Sequence, residues 1–190
     1  MTKAQNTDKD IIINLLVKSF GDNKSVNYII KQDAKREVGI KRLMEYSHEV
    51  CKMFGDVFIT NDKSGCALIV MPDKKKTTLK SILLDARFAI TCLGISNLKK
   101  AMSREAKIKA VHPEGLLYYL WFIGVDPEKQ HQGIGSNLLK EVINEGKRNN
   151  RTICLETSTL QNIPWYQSFG FNIYYEFDFG YKLFCLKKTE

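Results

Sequence analysis

The chain contains an uninterrupted apolar run, Leu116 to Ile123, that opens into Val125-Asp126-Pro127-Glu128-Lys129-Gln130-His131-Gln132-Gly133-Ile134-Gly135. That run is followed by Leu138, Leu139, Val142 and Ile143 at helical spacing. The order reads strand, glycine turn, helix. It constrains the fold strongly, because such a turn aims several unpaired N–H groups and the positive end of a helix dipole at one point. An anion belongs there, and a diphosphate is the natural one. Glycine at 133 and 135 lets the backbone approach phosphate oxygens with no Cβ in the way.

Two other glycine motifs are excluded. A nucleotide-triphosphate loop needs G-x-x-x-x-G-K-[ST], which is absent. A dinucleotide fingerprint needs a third glycine where Leu138 stands, and its strand should open the domain rather than begin past residue 115. What remains is Q-x-x-G-x-G, formed by Gln130, Gly133 and Gly135.

The 190 residues fit one domain. With 44% apolar residues and a mean hydropathy of −0.26, the chain can fill a core and stay in water. No apolar run reaches the roughly 18 to 20 residues of a membrane span. The polar start, Met1 to Asn6, lacks a signal-peptide core, so a cytoplasmic location and no membrane partner are expected. The five cysteines are odd in number and have no C-x-x-C spacing, which predicts buried free thiols and no metal site. The net charge is +8, but the lysines read as scattered and Asp73-Lys74-Lys75-Lys76 as a solvated turn. Nucleic acid is therefore not expected as a partner.

Along the chain, Thr7-Asp8-Lys9-Asp10 reads as a capping box. A helix through Ile12, Leu15, Leu16 and Phe20 should follow, with a second from Ala34 to Met53 closed by Gly55. Asp56 to Thr60 and Cys66 to Met71 form an antiparallel hairpin around Asn61 to Gly65. Leu79, Ile82, Leu83, Ala86, Ile90 and Leu93 recur at helical steps, Gly94 interrupts, and Asn97 to Ala110 continues as helix. This helical insertion, 74–110, is expected to shape a substrate site. The run from Leu116 shows no alternation, which predicts a central strand buried on both faces. Thr152 to Thr157 is its parallel neighbour. A short helix, Ile163 to Phe169, and two strands, Asn172 to Phe177 and Tyr181 to Leu186, complete the chain.

The glycine run resembles the acetyl-CoA-binding motif of the GCN5-related N-acetyltransferases, the GNAT superfamily. Downstream, Asn162 to Phe171 resembles the same family's N-x-x-x-Y-x-x-x-G-F segment. Leu155-Glu156-Thr157-Ser158 and Asn162-Ile163-Pro164-Trp165-Tyr166 are similar to the wording of its puromycin N-acetyltransferase type. The resemblance implies an α/β fold. Its sheet is mixed but mostly antiparallel, with a splayed central parallel pair and flanking helices. It also implies acetyl transfer from acetyl-CoA to a primary amine, with no metal.

On that resemblance, the amides from Gln130 through His131, Gln132, Gly133, Ile134 and Gly135 to Ser136 hold the diphosphate. Gln130 braces the turn or reaches a phosphate oxygen. His131 and Gln132 are spacers without a catalytic role. Ile123, Gly124 and Val125 offer backbone hydrogen bonds to the pantetheine arm, and an amide there would steady a developing oxyanion. Tyr166 is the expected acid for the departing thiolate. Asn162, one turn earlier, either bonds pantetheine or caps the helix. Glu156, at the end of the parallel strand, is the expected base through water. His112 and Glu114 are weaker candidates, and His112 alternatively orients the loop entering the strand. The acceptor is expected to be a small-molecule amine. A peptide amine, or a non-catalytic acyl-CoA sensor, is the alternative. A monomer and a homodimer are both compatible with the pattern.

Overall fold

The computed structural model describes residues 1–189. Seven strands form one sheet in the order β1-β2-β3-β4-β5-β7-β6. They are β1 (Thr2–Lys3), β2 (Gly55–Ile59), β3 (Gly65–Val70), β4 (Leu117–Val125), β5 (Thr152–Thr157), β6 (Phe171–Asp178) and β7 (Lys182–Lys188). Only β4 and β5 run parallel; every other pairing is antiparallel. The helices are α1 (Lys9–Phe20), α2 (Lys24–Ile29), α3 (Arg36–Phe54), α4 (Leu79–Phe88), α5 (Gly94–Ala110), α6 (Ile134–Arg148) and α7 (Asn162–Ser168). None of them is long and apolar enough to cross a membrane.

Two apolar layers sandwich the sheet. On one face Ile12, Leu16, Met44, Leu68 and Phe122 join α1 and α3 to the strands. On the other, Leu138, Leu139, Tyr118, Leu155 and Phe171 join α6 and α7 to them. The 3.6-residue period of α1 and α6 places their buried residues where the sequence put them.

Several expectations are corrected. The reciprocal cap before α1 forms two residues earlier than Thr7, at Gln5, whose amide donates to Asp8 Oδ2 at 2.9 Å. Two strand residues, Thr2 and Lys3, pair with Ile59 and Phe58 at the sheet edge and carried no readable pattern. The segment before α3 folds into its own short helix, α2, started by the Asn23 side chain accepting from the Val26 amide.

The central strand is not buried on both faces throughout. A bulge in its pairing with β3 skips Trp121, since Leu68 pairs with Phe122 but Ile69 with Leu120. Trp121 and Phe122 both join the α1/α3 layer, with ring centroids 5.7 Å apart, and the strand's facing is inverted beyond them. An unbroken apolar run conceals such a bulge, because both facings are apolar.

In the insertion, Gly94 does not interrupt. A wide, five-residue turn at Ala89–Leu93 joins α4 to α5 without a break in the helix. The apolar stripe on α4 also points the unexpected way: Leu79, Ile82, Leu83 and Ile90 face solvent. The side chain of Leu93 lies outside the described residues.

Candidate active site

The candidate phosphate seat is built by the chain entering α6. Gly133 adopts φ +81°, a left-handed conformation that turns the backbone into the helix, and a Cβ there would meet nothing within 4 Å. The first intrahelical bond is Asn137 N–H to Gly133 O at 3.0 Å. The amides of Ile134, Gly135 and Ser136 precede it and carry no helical partner. Open space at Gly133, free amides and the dipole of a 15-residue helix together fit a diphosphate.

The neighbours divide into supports and bystanders. Gln130 Nε2 lies 3.4 Å from the Val125 carbonyl, bracing the turn. His131 and Gln132 are exposed, as spacers would be. Ser136 Oγ accepts from Trp165 Nε1 at 3.0 Å, which ties α7 to the seat. Gly135 departs from its assigned reason. Its Cβ would face Val125 and Trp165 at the ordinary contact distances of 3.5 and 3.7 Å rather than open space.

Beside the seat the sheet opens. β4 and β5 share only three register pairs, Leu117 with Thr152, Tyr118 with Ile153 and Tyr119 with Cys154. Past Tyr119, β4 stays on β3 while Leu155, Glu156 and Thr157 pair with β7. The strands therefore split, and among the described residues the β5-facing edge of β4 from Leu120 to Val125 has no strand partner. Ile123 and Val125 lie along this edge. Gly124 lies on the same edge, and a Cβ there would come within 3.1 Å of Leu15, 3.2 Å of Leu16 and 3.3 Å of Ser19. Its absent side chain lets α1 approach the strand, and Ser19 Oγ sits 3.0 Å from the Val125 carbonyl.

The proposed acid and base occupy opposite faces of this split. Tyr166 is buried in the α6/α7 layer, its ring centroid 4.7 Å from Trp165 and 5.8 Å from Phe171. Burial pushes its phenol above the ordinary range, so it stays protonated at any working pH. Asn162 is exposed at the first residue of α7 and makes no cap, since the cap position is Gln161.

Glu156 alternates with Leu155 and so points to the other face. Its side chain is 6% exposed. The Tyr119 hydroxyl donates to Glu156 Oε2. His112 Nε2 stands 3.7 Å from Oε1, and its ring is 5.3 Å from Tyr119. Burial, and then the Glu156 charge, hold the Tyr119 phenol well above its usual range, so it remains a donor. Glu114, by contrast, is exposed in the loop before β4.

Among the described residues, five buried side-chain polar atoms lack a hydrogen-bond partner. Four are His112 Nε2, Glu156 Oε1, Ser158 Oγ and Tyr174 Oη. An orphaned buried polar atom costs about 1–3 kcal/mol, so this concentration marks a place shaped for a polar ligand. The Glu156 charge also reaches Tyr174. Above the cluster, Arg104 Nε donates to Tyr181 Oη at 2.9 Å and Nη2 to Ser25 Oγ at 2.5 Å, which joins α5, the β6–β7 turn and α2. Tyr28, Phe179 and Tyr181 pack beside it.

Tyr119, Tyr174 and Arg104 carried no sequence signal. Each sits in an apolar or basic stretch with no motif, and the partners of Tyr119 and Arg104 lie 37 and 77 residues away. The five cysteines are free and buried, as expected. Burial pushes the Cys92 and Cys185 thiols up to about 12, which keeps them protonated and inert.

The family model described as the acetyltransferase (GNAT) domain matches residues 103–173. Over this stretch the chain is similar to the GNAT acetyltransferase domain. The stretch spans the end of α5, both split strands, the phosphate seat and α7, and so contains Arg104, His112, Tyr119, Glu156 and Tyr166.

Solved structures share the GNAT fold over nearly the whole chain. A Corynebacterium glutamicum structure described as histone acetyltransferase HPA2 and related acetyltransferase superposes with a TM-score of 0.70 at 16% identity, covering 98% of this chain and 93% of the other. The C-terminal condensation domain of Ebony, in complex with beta-alanyl-dopamine, gives 0.72 at 12%, covering 98% and 96%. Arabidopsis thaliana Naa50, in complex with the bisubstrate analogue CoA-Ac-MVNAL, gives 0.53 at 14%, covering 100% and 97%. At these identities the likeness is one of fold.

Proposed function

We propose that residues 1–190 form one catalytic unit, an acetyl-CoA-dependent N-acetyltransferase that acts on a small primary amine in the cytoplasm. The observation that carries this is the placement of Glu156 and Tyr166 on opposite faces of the β4/β5 split, next to a phosphate seat. An acceptor amine must lose a proton on one side of the reacting carbon, and a thiolate must gain one on the other. A protein that only bound acyl-CoA would have no use for a buried carboxylate aimed at the far side.

Acetyl-CoA supplies the activated thioester. The amides of Ile134 to Ser136 and the α6 dipole hold its diphosphate, and the unpaired edge of β4 is available to its amide-bearing arm. Glu156 Oε1, which makes no hydrogen bond to the protein and stands 3.7 Å from His112 Nε2, takes the amine proton directly or through one water. Tyr119 fixes the other carboxylate oxygen and so sets the direction of the free one. His112 borders the amine's place. The Tyr166 hydroxyl gives its proton to the sulfur. Its raised pKa is no bar, because a thiolate in the same low-dielectric cleft is desolvated too and becomes a stronger base.

The small acceptor is supported by the closure of the far face. Arg104 straps α5 to the β6–β7 turn and to α2, where a peptide would need an open groove. The L-E-T-S and N-I-P-W-Y wording shared with the puromycin type points the same way, and so does the small ligand of the Ebony domain. The test is thiol release from acetyl-CoA across a panel of small amines and N-terminal peptides. Turnover on small amines supports the proposal, and turnover on peptides alone moves the acceptor class. Tight acetyl-CoA binding with no turnover on any amine would make the protein a sensor.

A further inference from the structure

Helix α4 is apolar on two sides. Leu84 and Phe88 pack inward against the α1/α3 layer. Leu79, Ile82 and Leu83, with Ile90 just beyond the helix, lie three, four and seven residues apart, so they form one outward stripe. Their relative exposures are 82%, 50%, 70% and 80%. The stripe runs about 16 Å along the axis at 1.5 Å per residue. A helix apolar on both sides is a covered helix, and among the described residues nothing covers this one.

The charge around it is just as uneven. Residues 74–110 hold ten lysines and arginines against two acidic residues, a net +8 that equals the charge of the entire chain. The rest of the protein is neutral, so the positive charge is not scattered after all. Lys74, Lys75 and Lys76 lead into the helix, and Lys80 and Arg87 border the stripe on one side, all exposed. Some of these charges are engaged. Lys80 Nζ is 3.8 Å from Glu49, Lys109 Nζ is 3.7 Å from Glu105, Lys75 lies 5.8 Å from the Trp121 ring, Lys100 and Lys107 lie over the Tyr28 and Phe179 rings, and Arg104 is bonded to Tyr181 and Ser25 away from the stripe. Lys74, Lys76 and Arg87 have no acidic partner within ion-pair distance among the described residues.

We propose that this face docks on an anionic lipid surface, with the leucines and isoleucines entering the interface and the lysines at the headgroups. An apolar stripe bordered by Lys and Arg is the arrangement such helices use. A second copy is disfavoured, since it would bring another +8 segment against the first. Nucleic acid has no use for the leucines. An acidic protein partner is disfavoured because protein interfaces favour aromatic residues and are poor in lysine, whereas this stripe holds no aromatic residue and its basic flank is mostly lysine. Surface docking of this kind needs no spanning segment. It is independent of the reaction proposed above.

The test is co-sedimentation of the full chain with vesicles of phosphatidylcholine alone and of equal parts phosphatidylcholine and phosphatidylserine. Binding is expected to the anionic vesicles, to weaken steeply with salt, and to be slight on the neutral ones. The double variant Leu83→Glu, Ile90→Glu should bind at least about tenfold more weakly. Neutralising Lys74, Lys76 and Arg87 to Gln should cost about fivefold each. These residues are exposed, so the unfolding midpoint and acetyl-CoA affinity of both variants should match the parent. Three results would overturn the proposal. One is no sedimentation with anionic vesicles at low salt, or sedimentation unaffected by the double variant. Another is concentration-dependent dimerisation that the same variant abolishes, which would give the face to a second copy. The third is capture by immobilised poly-glutamate but not by vesicles, lost in that variant, which would give it to an acidic protein.

Discussion

On the α6/α7 face of the sheet, the phosphate seat comes from a handful of consecutive residues and the start of one helix. On the opposite face, the carboxylate site draws on α5, the loop before β4, β4 itself, β5, the β6–β7 turn and α2. The first site needs only a turn geometry and a dipole, which neighbouring residues can set. The second needs a buried charge held in one direction, and in a low-dielectric interior that takes donors arriving from several elements. On the proposed function, binding is therefore concentrated in a short motif, while the control of the acceptor proton is dispersed through the fold.

Five substitutions, one of them read through a pH profile, can break this contrast. The largest effect is expected for Glu156→Gln, which keeps an acceptor for Tyr119 but removes the base. Turnover should fall by about 10²–10⁴, with acetyl-CoA affinity by calorimetry unchanged. Equal turnover would move the base elsewhere. Tyr166→Phe should lower kcat by ~10², again without loss of cofactor affinity. Full kcat in that variant would remove the phenol from its assigned role.

The two glycines sharpen the contrast further. Gly133→Val should weaken acetyl-CoA binding at least about tenfold, because the new side chain occupies the open ligand side and forces a β-branched residue into a left-handed conformation at about 1–3 kcal/mol. Gly124→Ala should do the reverse: a stability loss of about 1–3 kcal/mol from crowding Leu15 and Leu16, read as a lower unfolding midpoint, with cofactor affinity kept. If Gly124→Ala cost affinity and not stability, the glycine would belong to the donor site after all.

The smallest effect concerns His48, 3% exposed in α3 with its Nδ1 unpartnered. Burial holds its imidazole below the ordinary histidine range, so the folded protein keeps it neutral. As pH falls through the ordinary value of about 6.5, the unfolded chain takes up this proton first and the folded state loses stability. The stabilising preference is complete above that pH. An unfolding-midpoint profile should therefore slope downward below about pH 6.5, and His48→Phe should flatten it. An unchanged slope would assign the dependence to other groups.

The sequence by itself determined the strand–turn–helix of the phosphate seat, the apolar faces of α1 and α6, the hairpin of β2 and β3, and the positions of Glu156 and Tyr166 at the parallel strand and the short helix. All of these depend on residues within a few positions of one another, where backbone geometry and side-chain period leave a direct trace. The tertiary structure decided the bulge at Trp121, the hydroxyl of Tyr119 on Glu156, the strap from Arg104 to Tyr181 across 77 residues, the service of Gly124 to α1, and the outward turn of the α4 stripe. Each of these depends on which distant side chain arrives opposite which. A local period tells that a face is apolar, but not whether the protein or something outside it will cover that face.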